Sequence, residues 1–344
     1  MLLPRPRGRL TSALVEALRS DDASALAAAP ATAPADPVAD DDLQLALWVC
    51  FELHYRGFDD VSDSWEWQPK LIALRAELES MMLSALRRDL TVEVRGNTMA
   101  ERLQAVVEAY DGPQLSRFMQ TQASREQFAE FVIHRSIYQL KEADPHSWAI
   151  PRLAGKVKAA LVEIQADEYG GGDPNRMHSE LFRNLLRGFG LDDEYGGYLD
   201  EAPGITLAIS NIMSVFGLRR DLRGALVGHL AAYEMTSSGP CRRYAKGLRR
   251  LGATEATCQF YDAHVVADAL HEQLAAHDLC GALAESEPGL AGDVLFGAAA
   301  CLHIDNRFAE HVLGCWADDR PSLLPRSASH DLESAAGTAL SQAL

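Results

Sequence analysis

The segment His264-Val265-Val266-Ala267-Asp268-Ala269-Leu270-His271 contains no helix-breaking residue, and it spaces two imidazoles and a carboxylate four and three residues apart. At about 100° per residue of an α-helix, these three polar side chains fall on one narrow stripe. Imidazole and carboxylate donors arranged in this way suit iron or zinc. The segment therefore predicts a helix that carries metal ligands. The alternative is that both histidines lie on a polar helix face or bond backbone carbonyls of the core.

A glycine-rich break lies upstream, in residues 166–178 (ADEYGGGDPNRMH), with Glu168 just before it and His178 in the helical run after it. Glycine lets two backbones approach closely, and Pro174 suits the first turn of a new helix. A straight helix would hold the two donors roughly 15 Å apart along its axis. We therefore expect the break to let one connected segment present both of them. Another carboxylate, Glu142, ends an earlier apolar run.

Taken together, these residues resemble the ligand pattern of the heme-oxygenase-like diiron oxidases and oxygenases, many of which are described only as iron-containing redox enzymes. The pattern consists of Glu142, Glu168, His178, His264, Asp268 and His271. Three further runs carry the resemblance: residues 51–58 (FELHYRGF), 141–153 (KEADPHSWAIPRL) and 234–251 (EMTSSGPCRRYAKGLRRL). The resemblance extends from about residue 41 to about residue 320.

The resemblance implies an all-α fold, a heme-oxygenase-like multi-helix bundle with additional N-terminal helices. It also implies a non-heme centre of two Fe²⁺ ions that uses O₂ as co-substrate. One iron would be held by Glu142, His178 and His271. The other would be held by His264 and Asp268, with Glu168 bridging the ions or lying between them. Some members add a carboxylate seven residues after the bridging one, where this chain has Asn175, so its second iron site has fewer ligands.

Length and composition indicate a globular enzyme. With 344 residues, of which 47% are hydrophobic, the chain can bury a substantial core as one large domain or as a core with an appended subdomain. Its net charge of −17 disfavours nucleic acid and anionic membranes as partners, because phosphate binding needs a basic face.

The cysteines and the N-terminus indicate the cytoplasm. The six cysteines contain no Cys-x-x-Cys pair, so neither a zinc ribbon nor an Fe–S cluster is expected, and they are interpreted as reduced, mostly buried thiols. The N-terminus is basic, but no apolar run typical of a signal peptide follows it. No stretch approaches the roughly 18 to 20 apolar residues of a membrane span.

The chain divides into three predicted parts. Residues 21–42 (DDASALAAAPATAPADPVADDD) have little to bury, and we interpret residues 1–42 as a mobile N-terminal arm or linker. Residues 43–322 form the expected helical diiron domain, and residues 323–344 form a C-terminal tail. Apolar residues within the domain recur at helical spacing. Helices are expected over residues 175–188, 204–217, 222–237 and 254–280.

Two other polar clusters are interpreted as structural. Glu52 and His54 are two residues apart, so on a helix they diverge by about 200° and cannot share one metal. We expect Glu52 and Arg56, four apart, to form an ion pair, with a substrate role as the alternative. A second cluster contains His303, Asp305 and His311. A solvated helix face is its default interpretation, and support of the metal ligands is the alternative.

Substrate recognition is assigned to a run rich in cations. Residues 241–250 concentrate five of them, and because arginine forks match carboxylates, Arg242 or Arg243 is a candidate for binding a substrate carboxylate. The alternative is a basic surface patch. Tyr169 and Tyr261 lie close in sequence to metal candidates, so they are candidates for lining the pocket, with a core position as the alternative.

The predicted function is O₂-dependent oxidation of a small molecule, with the chemistry carried by the metal pair. The resemblance leaves N-oxygenation, desaturation or C–C cleavage of an amino-acid-like substrate, or decarboxylation of a fatty acid; the arginine-rich run favours the amino acid. No dinucleotide-binding pattern is present, so electrons would come from an external donor. A homodimer is compatible with the composition. The alternatives are a mononuclear iron or manganese enzyme and a non-catalytic metal-binding helical scaffold.

Overall fold

The computed structural model describes the chain except residues 27, 29, 31, 93, 94, 111 and 327–344, together with the side chains of Asp268 and Ala269. The described residues contain α-, 3₁₀- and π-helices and no β-strand, which confirms the predicted all-α fold. The α-helices are α1 (Arg9–Ser20), α2 (Asp41–Glu52), α3 (Pro69–Asp89), α4 (Met99–Ala109), α5 (Leu115–Thr121), α6 (Arg125–Gln139), α7 (Asp144–Ser147), α8 (Gly155–Glu168), α9 (His178–Phe189), α10 (Gly204–Leu218), α11 (Arg223–Thr236), α12 (Ser238–Arg250), α13 (Glu255–Gln273), α14 (Ala282–Ser286) and α15 (Ala291–Ala317).

Helix α10 lies at the centre of the core. Its residues from Gly204 to Gly217 are all buried, as expected for a helix that is apolar on every side. It packs against α2, α6, α11 and α15. The side-chain amide of Asn211 donates to the backbone and side-chain oxygens of Gln44 on α2, each at 2.8 Å, so the N–H groups of this buried amide are satisfied.

Helices α11 and α15 pack closely because glycines lie at their contact. A Cβ atom at Gly228 would lie 1.8 Å from the carbonyl oxygen of Val294, and one at Gly297 would lie 1.9 Å from that of Ala225. Only glycine permits such an approach of two backbones. This packing holds the end of α11 and the middle of α15 beside one another, and both helices contribute to the site described below.

The observed helix bounds agree with those predicted from apolar periodicity, except near two breaks. The expected helices over residues 204–217 and 222–237 correspond to α10 and α11. The helix expected from residue 175 begins at His178, because Pro174–Arg176 form a 3₁₀ turn. The helix expected over 254–280 is α13 followed by a π-helix, Leu274–Gly281. Apolar periodicity does not distinguish α-, 3₁₀- and π-helical segments, because all of them bury a continuous apolar stripe.

The structure differs from the predicted arm over its first part, where α1 is a helix. Leu10, Leu14 and Leu18 of α1 are buried in the core, and α1 packs against α2. The carboxylate of Asp42 accepts hydrogen bonds from the backbone amides of Leu10 and Thr11, each at 2.9 Å. The leucines recur every four residues, a helical signal that the neighbouring alanine- and proline-rich stretch obscures.

Other sequence expectations concern the tail, the cysteines and membrane spans. In the predicted tail, the amide of Leu324 donates to the carbonyl of Glu201 at 2.8 Å, and residues 327–344 lie outside the described part. All six cysteines are buried free thiols. Among the described residues, no helix combines the length and the apolar character needed to cross a membrane.

Candidate metal centre

Six side chains from five parts of the chain converge near the ends of α8, α9 and α11. In one set, Glu142, Glu168, His178 and His264 each offer a donor atom within 4.8 Å of the others, and Glu168, Glu234 and His271 do so in a second set. Glu168 belongs to both sets. It ends α8, where its carboxylate can reach donors from α9, α11 and α13.

The first set is compact and largely withdrawn from solvent. Nδ1 of His178 lies 2.8 Å from Oε2 of Glu168 and 3.9 Å from Oε2 of Glu142. Nε2 of His264 lies 3.4 Å from Oε1 of Glu142, and the two imidazole rings are 4.3 Å apart between centroids. All four side chains are at most 10% exposed. Two carboxylates and two imidazoles therefore face a common point.

The second set connects the centre to the protein surface. Nδ1 of His271 lies 3.4 Å from Oε2 of Glu234, and both side chains are buried. On the other side of the ring, Nε2 of His271 is 3.0 Å from Oδ2 of Asp167, whose side chain is 57% exposed. A carboxylate that accepts from one ring nitrogen orients the imidazole and leaves the other nitrogen for a metal.

His264 fits both interpretations of the helical stripe, because it bonds a backbone carbonyl of the core and also faces the candidate metal ligands. Its Nδ1 lies 2.8 Å from the carbonyl oxygen of Phe260, one turn earlier on α13. A carbonyl oxygen only accepts, so Nδ1 carries a proton, and Nε2, the nitrogen that faces Glu142, is the one that can bind a metal. The bond to a core carbonyl thus prepares the ligand nitrogen, since it sets the ring orientation.

Electrostatics favour a cation at the centre. Burial raises the pKa values of the Glu168 and Glu234 carboxyls, although neighbouring histidines oppose the increase. Burial lowers the pKa of His271, but the hydrogen bond and charge of Glu234 outweigh it and raise that pKa to about 9. In the absence of a metal, the centre therefore holds protons on groups that a metal would replace.

The buried oxygens provide a test of whether a metal fits. Oε2 of Glu142 and Oε2 of Glu168 are buried, and neither accepts a hydrogen bond from the described residues. Nδ1 of His178 is close enough to Oε2 of Glu168 for an ion pair, but the two groups are not aligned for a hydrogen bond. Buried carboxylate oxygens without partners are costly, and divalent cations compensate such oxygens directly. The mixture of carboxylate and imidazole donors suits iron.

The glycine-rich break acts as the sequence analysis predicts, because it brings Glu168 to His178. Gly170 has φ +68°, and a Cβ atom there would lie 2.7 Å from the backbone of Arg176 and Met177. The chain can make this reversal only with glycine at that position. Asn175 lies on the exposed side of the break, bonded to Asp173, and adds no donor.

A strained turn positions Glu142. Ala143 has φ +74°, which is unusual for a residue with a Cβ atom, and the side-chain amide of Gln165 donates to its carbonyl at 2.8 Å. On the other side of Glu142, the ammonium of the buried Lys141 lies 3.5 Å from Oε2 of Glu52 and 4.4 Å from the centre of the Tyr55 ring. These contacts on both sides restrain the turn.

This arrangement corrects the predicted ion pair between Glu52 and Arg56. The carboxylate of Glu52 pairs with Lys141 and accepts a hydrogen bond from the hydroxyl of Tyr195 at 2.6 Å. Arg56 donates to Glu52 only through its backbone amide, and its guanidinium donates to the carbonyl of Leu140. The buried partner of Glu52 is Lys141, which is distant in sequence, so a prediction from helical spacing alone identifies the wrong cation.

Five of the six predicted ligands come together, and the side chain of the sixth, Asp268, lies outside the described residues. The grouping differs from the implied one, because His264 joins His178 and His271 joins a residue that the analysis missed. That residue is Glu234, buried near the end of the largely apolar α11. A lone carboxylate at the start of the run 234–251, which already carries the resemblance, is the signal that could have identified it.

A cavity of about 170 Å³ adjoins the first set. Glu142, Glu168, Glu234 and His264 line one part of it, and the aromatic side chains that line it include Phe131, Tyr138, Tyr233, Tyr244, Phe260 and Tyr261. An engineered apolar cavity of about 150 Å³ holds benzene, so this volume suits a small molecule. Tyr261 is placed as predicted, and its buried hydroxyl has no hydrogen-bond partner among the described residues.

The other candidate substrate residues lie elsewhere. Arg242 is exposed, and Arg243 donates to the hydroxyl of Ser116 at 3.2 Å. Tyr169 donates to Asp144 at 2.8 Å and is not among the residues that line the cavity. The cation that lines the cavity is Arg135 on α6, and its partner is Asp305 on α15. The prediction that Asp305 lies on a solvated face of α15 is therefore wrong, because helix packing turns this residue toward Arg135 on α6.

Comparison with known proteins identifies the family. A model of the iron-containing redox enzymes matches residues 129–306, which include every side chain of both donor sets. The match covers more than half of the chain, and the chain belongs to this family. The sequence-based family assignment is thereby confirmed.

The chain is also similar to a nitrosourea synthase from Streptomyces achromogenes subsp. streptozoticus. The two sequences are 25% identical over 244 residues, which is 67% of this chain and 51% of that protein. The chain thus spans about half the length of this relative.

Proposed function

We propose that this member of the iron-containing redox enzymes binds two ferrous ions and uses O₂ to oxidise a small molecule in the adjacent cavity. The observation that carries the proposal is the position of Glu168, whose carboxylate belongs to both donor sets. A carboxylate shared by two sets of protein donors is typical of dinuclear carboxylate centres in helical proteins.

Each donor set would hold one of the two metal ions. Glu142, His178 and His264 would hold one ion and Glu234 and His271 the other, with Glu168 between the ions. Asp268, one turn after His264 on α13, is retained as a ligand of this centre on the basis of its spacing. When bound, the iron pair supplies the electrons that reduce O₂, and an external donor restores them.

The protein residues orient the metal ligands, hold protons at defined atoms and line the cavity with aromatic surface. The carbonyl of Phe260 holds His264 in the orientation that turns Nε2 toward Glu142, where it would bind the metal. Nδ1 of His271 would give up its proton to hold a metal ion, while Nε2 would keep its proton in the hydrogen bond to Asp167. The aromatic lining of the cavity places low-polarity surface beside the centre, which strengthens the electrostatic interactions there.

For the substrate, we propose an amino-acid-like compound that is oxidised at nitrogen. A nitrosourea contains an N–N=O group, and forming it requires oxidation of nitrogen, which supports N-oxygenation for a related chain. Desaturation and C–C cleavage remain the alternative outcomes at the same site.

The decisive experiment is metal analysis after anaerobic reconstitution with ferrous iron, followed by measurement of O₂ consumption. We expect about two irons per chain in the unaltered protein, and loss of both iron binding and O₂ consumption in Glu168→Ala. Glu163→Ala, an exposed glutamate on the same helix, is the matched control and should behave as the unaltered protein. Two irons retained in Glu168→Ala would refute the bridging role. One metal per chain in the unaltered protein would favour the mononuclear alternative.

A further inference from the structure

Helices α5 and α12 form a surface whose charged side chains are all positive. Their sequences, LSRFMQT and SGPCRRYAKGLRR, contain no carboxylate, in a chain whose net charge is −17. The two helices pack side by side. We call the surface of this helix pair the cationic face; its members are exposed or half-buried and are Arg117, Arg242, Arg243, Lys246 and Arg250.

Contacts within the protein account for part of the charge on these two helices. A further cation, Arg249, forms ion pairs with Glu255 and Asp262 and is therefore compensated. Arg250 donates to carbonyl oxygens of α5 and of the turn after it, and Arg243 donates to a hydroxyl of α5. These bonds hold α12 against α5, but neutral acceptors leave the positive charges uncompensated.

The structure gives Arg117, Arg242 and Lys246 no comparable role. All three are exposed, and none of them pairs with a carboxylate in the part of the chain that the structure describes. Arg242 and Lys246 lie four residues apart on α12, where like charges repel. Neither lies in the last turn, where the helix dipole favours a cation. Helix stability therefore does not explain these charges, whereas an anionic partner does.

The opposite side of α12 reaches the cavity beside the candidate metal centre. Cys241 and Tyr244 flank the cations in the sequence, and both line this cavity. The ring of Tyr244 lies 5.2 Å from that of Tyr261 on α13, one turn before the candidate ligand His264. A helix with its side chains is about 10–12 Å across. A single helix therefore separates the cationic face from the cavity.

We propose that the cationic face docks an acidic one-electron carrier protein that reduces the iron pair. This inference rests on the proposed function, because it assigns the external electron donor of that same centre. Two reduced carriers would each give up one electron, and these two electrons would return two ferric ions to the ferrous state. Electron transfer slows steeply with distance, so docking on the far side of one helix favours it.

Charge distribution favours a compact acidic protein over other anionic partners. Nucleic acid is negative along its whole length, so the parts beyond the cationic face would be repelled by the rest of this acidic chain. A second copy of the chain would bring its own net charge of −17. A small carrier can present a limited acidic patch to the face. Small, charge-steered contacts of this kind are typical of electron-transfer partners.

Binding measurements on the full chain test the docking without turnover. The probes are two acidic carriers, oxidised plant-type [2Fe–2S] ferredoxin and flavodoxin, and a short DNA duplex. We expect at least one carrier to bind at about 10 mM salt and to lose about tenfold or more in affinity at about 150 mM. Absence of binding by both carriers, or tighter binding of the duplex, would overturn the inference. Self-association of the chain through the cationic face, measured by light scattering, would also overturn it.

Charge-reversal variants test the residues themselves. Arg242→Glu/Lys246→Glu should weaken carrier binding, and should slow reduction of the oxidised, iron-loaded protein by reduced ferredoxin, each by about tenfold or more at low salt. Iron content and the rate of reduction by reduced phenazine methosulfate, a small molecule that needs no docking surface, should be unchanged. If the double variant does not fold, Arg117→Glu on α5 should act in the same direction.

Arg19→Glu/Lys70→Glu is the matched control. It makes the same change in charge at exposed residues of α1 and α3, outside the cationic face, so carrier binding and both reduction rates should stay almost unchanged. Normal carrier binding in a folded variant of the cationic face would overturn the inference. An equal loss in the control would do so too, because it would show an effect of net charge alone.

The iron content of each sample separates this inference from the proposed function. If the unaltered chain takes up no iron pair but binds an acidic carrier through Arg242 and Lys246, the proposed function fails and the docking surface stands. If iron loading and O₂ consumption are as proposed but the carrier reduces the folded double variant at the normal rate, the proposed function stands and the docking surface fails.

Discussion

Glu168 and His178 are ten residues apart in the sequence, yet Oε2 of Glu168 lies 2.8 Å from Nδ1 of His178. A straight helix would hold them about 15 Å apart, so the glycine-rich break provides almost the whole approach. The reversal places a carboxylate from the end of one helix beside an imidazole from the start of the next. The remaining donors of the candidate centre then come from the turn after α6, from α11 and from α13.

The first prediction concerns Gly170. Gly170→Ala places a side chain at φ +68° and 2.7 Å from the backbone of the following turn, so we expect it to destabilise the protein and to reduce iron loading. Gly171→Ala is the control, because Gly171 has φ +62° but nothing lies within 4 Å of a Cβ atom there. The control should cost only the left-handed backbone penalty, about 1 kcal/mol. Chemical denaturation and metal analysis measure both effects, and equal behaviour of the two variants would contradict the steric argument.

The second prediction concerns His264. His264→Gln removes the nitrogen that faces Glu142, so the iron content should fall by about one ion per chain or more and O₂ consumption should be lost. His277→Gln alters an exposed histidine and serves as the control. Iron analysis of the two purified variants after identical anaerobic loading is the measurement. Normal iron content in His264→Gln would remove this residue from the ligand set.

The third prediction concerns Glu234, which the sequence analysis missed. Glu234→Gln should weaken the second metal position selectively, so that an iron titration saturates at about one ion per chain. The conservative change retains the size of the side chain and one acceptor oxygen, but it removes the negative charge. A titration that still ends at two ions would show that His271 and Glu168 suffice without it.

The fourth prediction concerns the buried pair Glu52–Lys141. Removing one partner leaves the other charge buried without compensation, so Glu52→Leu should lower the free energy of unfolding by about 3–5 kcal/mol. The double variant Glu52→Leu/Lys141→Met should recover much of this loss, because neither charge remains. Urea denaturation of the single and double variants tests the coupling. Simple additivity of the two single effects would contradict it.

The fifth prediction concerns acid stability. Burial lowers the pKa of His134 well below its usual 6.5, and its ring nitrogens bond the hydroxyls of Thr206 and Ser322. The unfolded chain therefore binds a proton that the folded chain excludes, and stability falls as the pH drops below about 6.5. Each such histidine contributes a slope of up to about 1.4 kcal/mol per pH unit. In metal-free protein, His134→Gln should reduce the slope between about pH 6.5 and pH 5 by that amount, and an unchanged slope would contradict the assignment.

The sequence by itself determined those features that depend on local spacing. The stripe of His264 and His271 follows from the helical period, and the reversal between Glu168 and His178 follows from the glycines between them. Both are properties of a single segment, and neither needs knowledge of what packs against it. For the same reason, the all-α fold could be predicted from apolar spacing and from the resemblance.

Only the tertiary structure decided which distant residues meet. Glu234 joins His271, Lys141 joins Glu52, and Arg135 meets Asp305, which lies 170 residues away. These pairings depend on how helices pack, and the packing depends on contacts such as those of Gly228 and Gly297 between α11 and α15. Helical periodicity encodes which face of a helix is buried, but it does not encode the partner against which that face is buried. Local spacing therefore determined most of the candidate ligands, and tertiary packing decided how they are grouped and which cation lines the cavity.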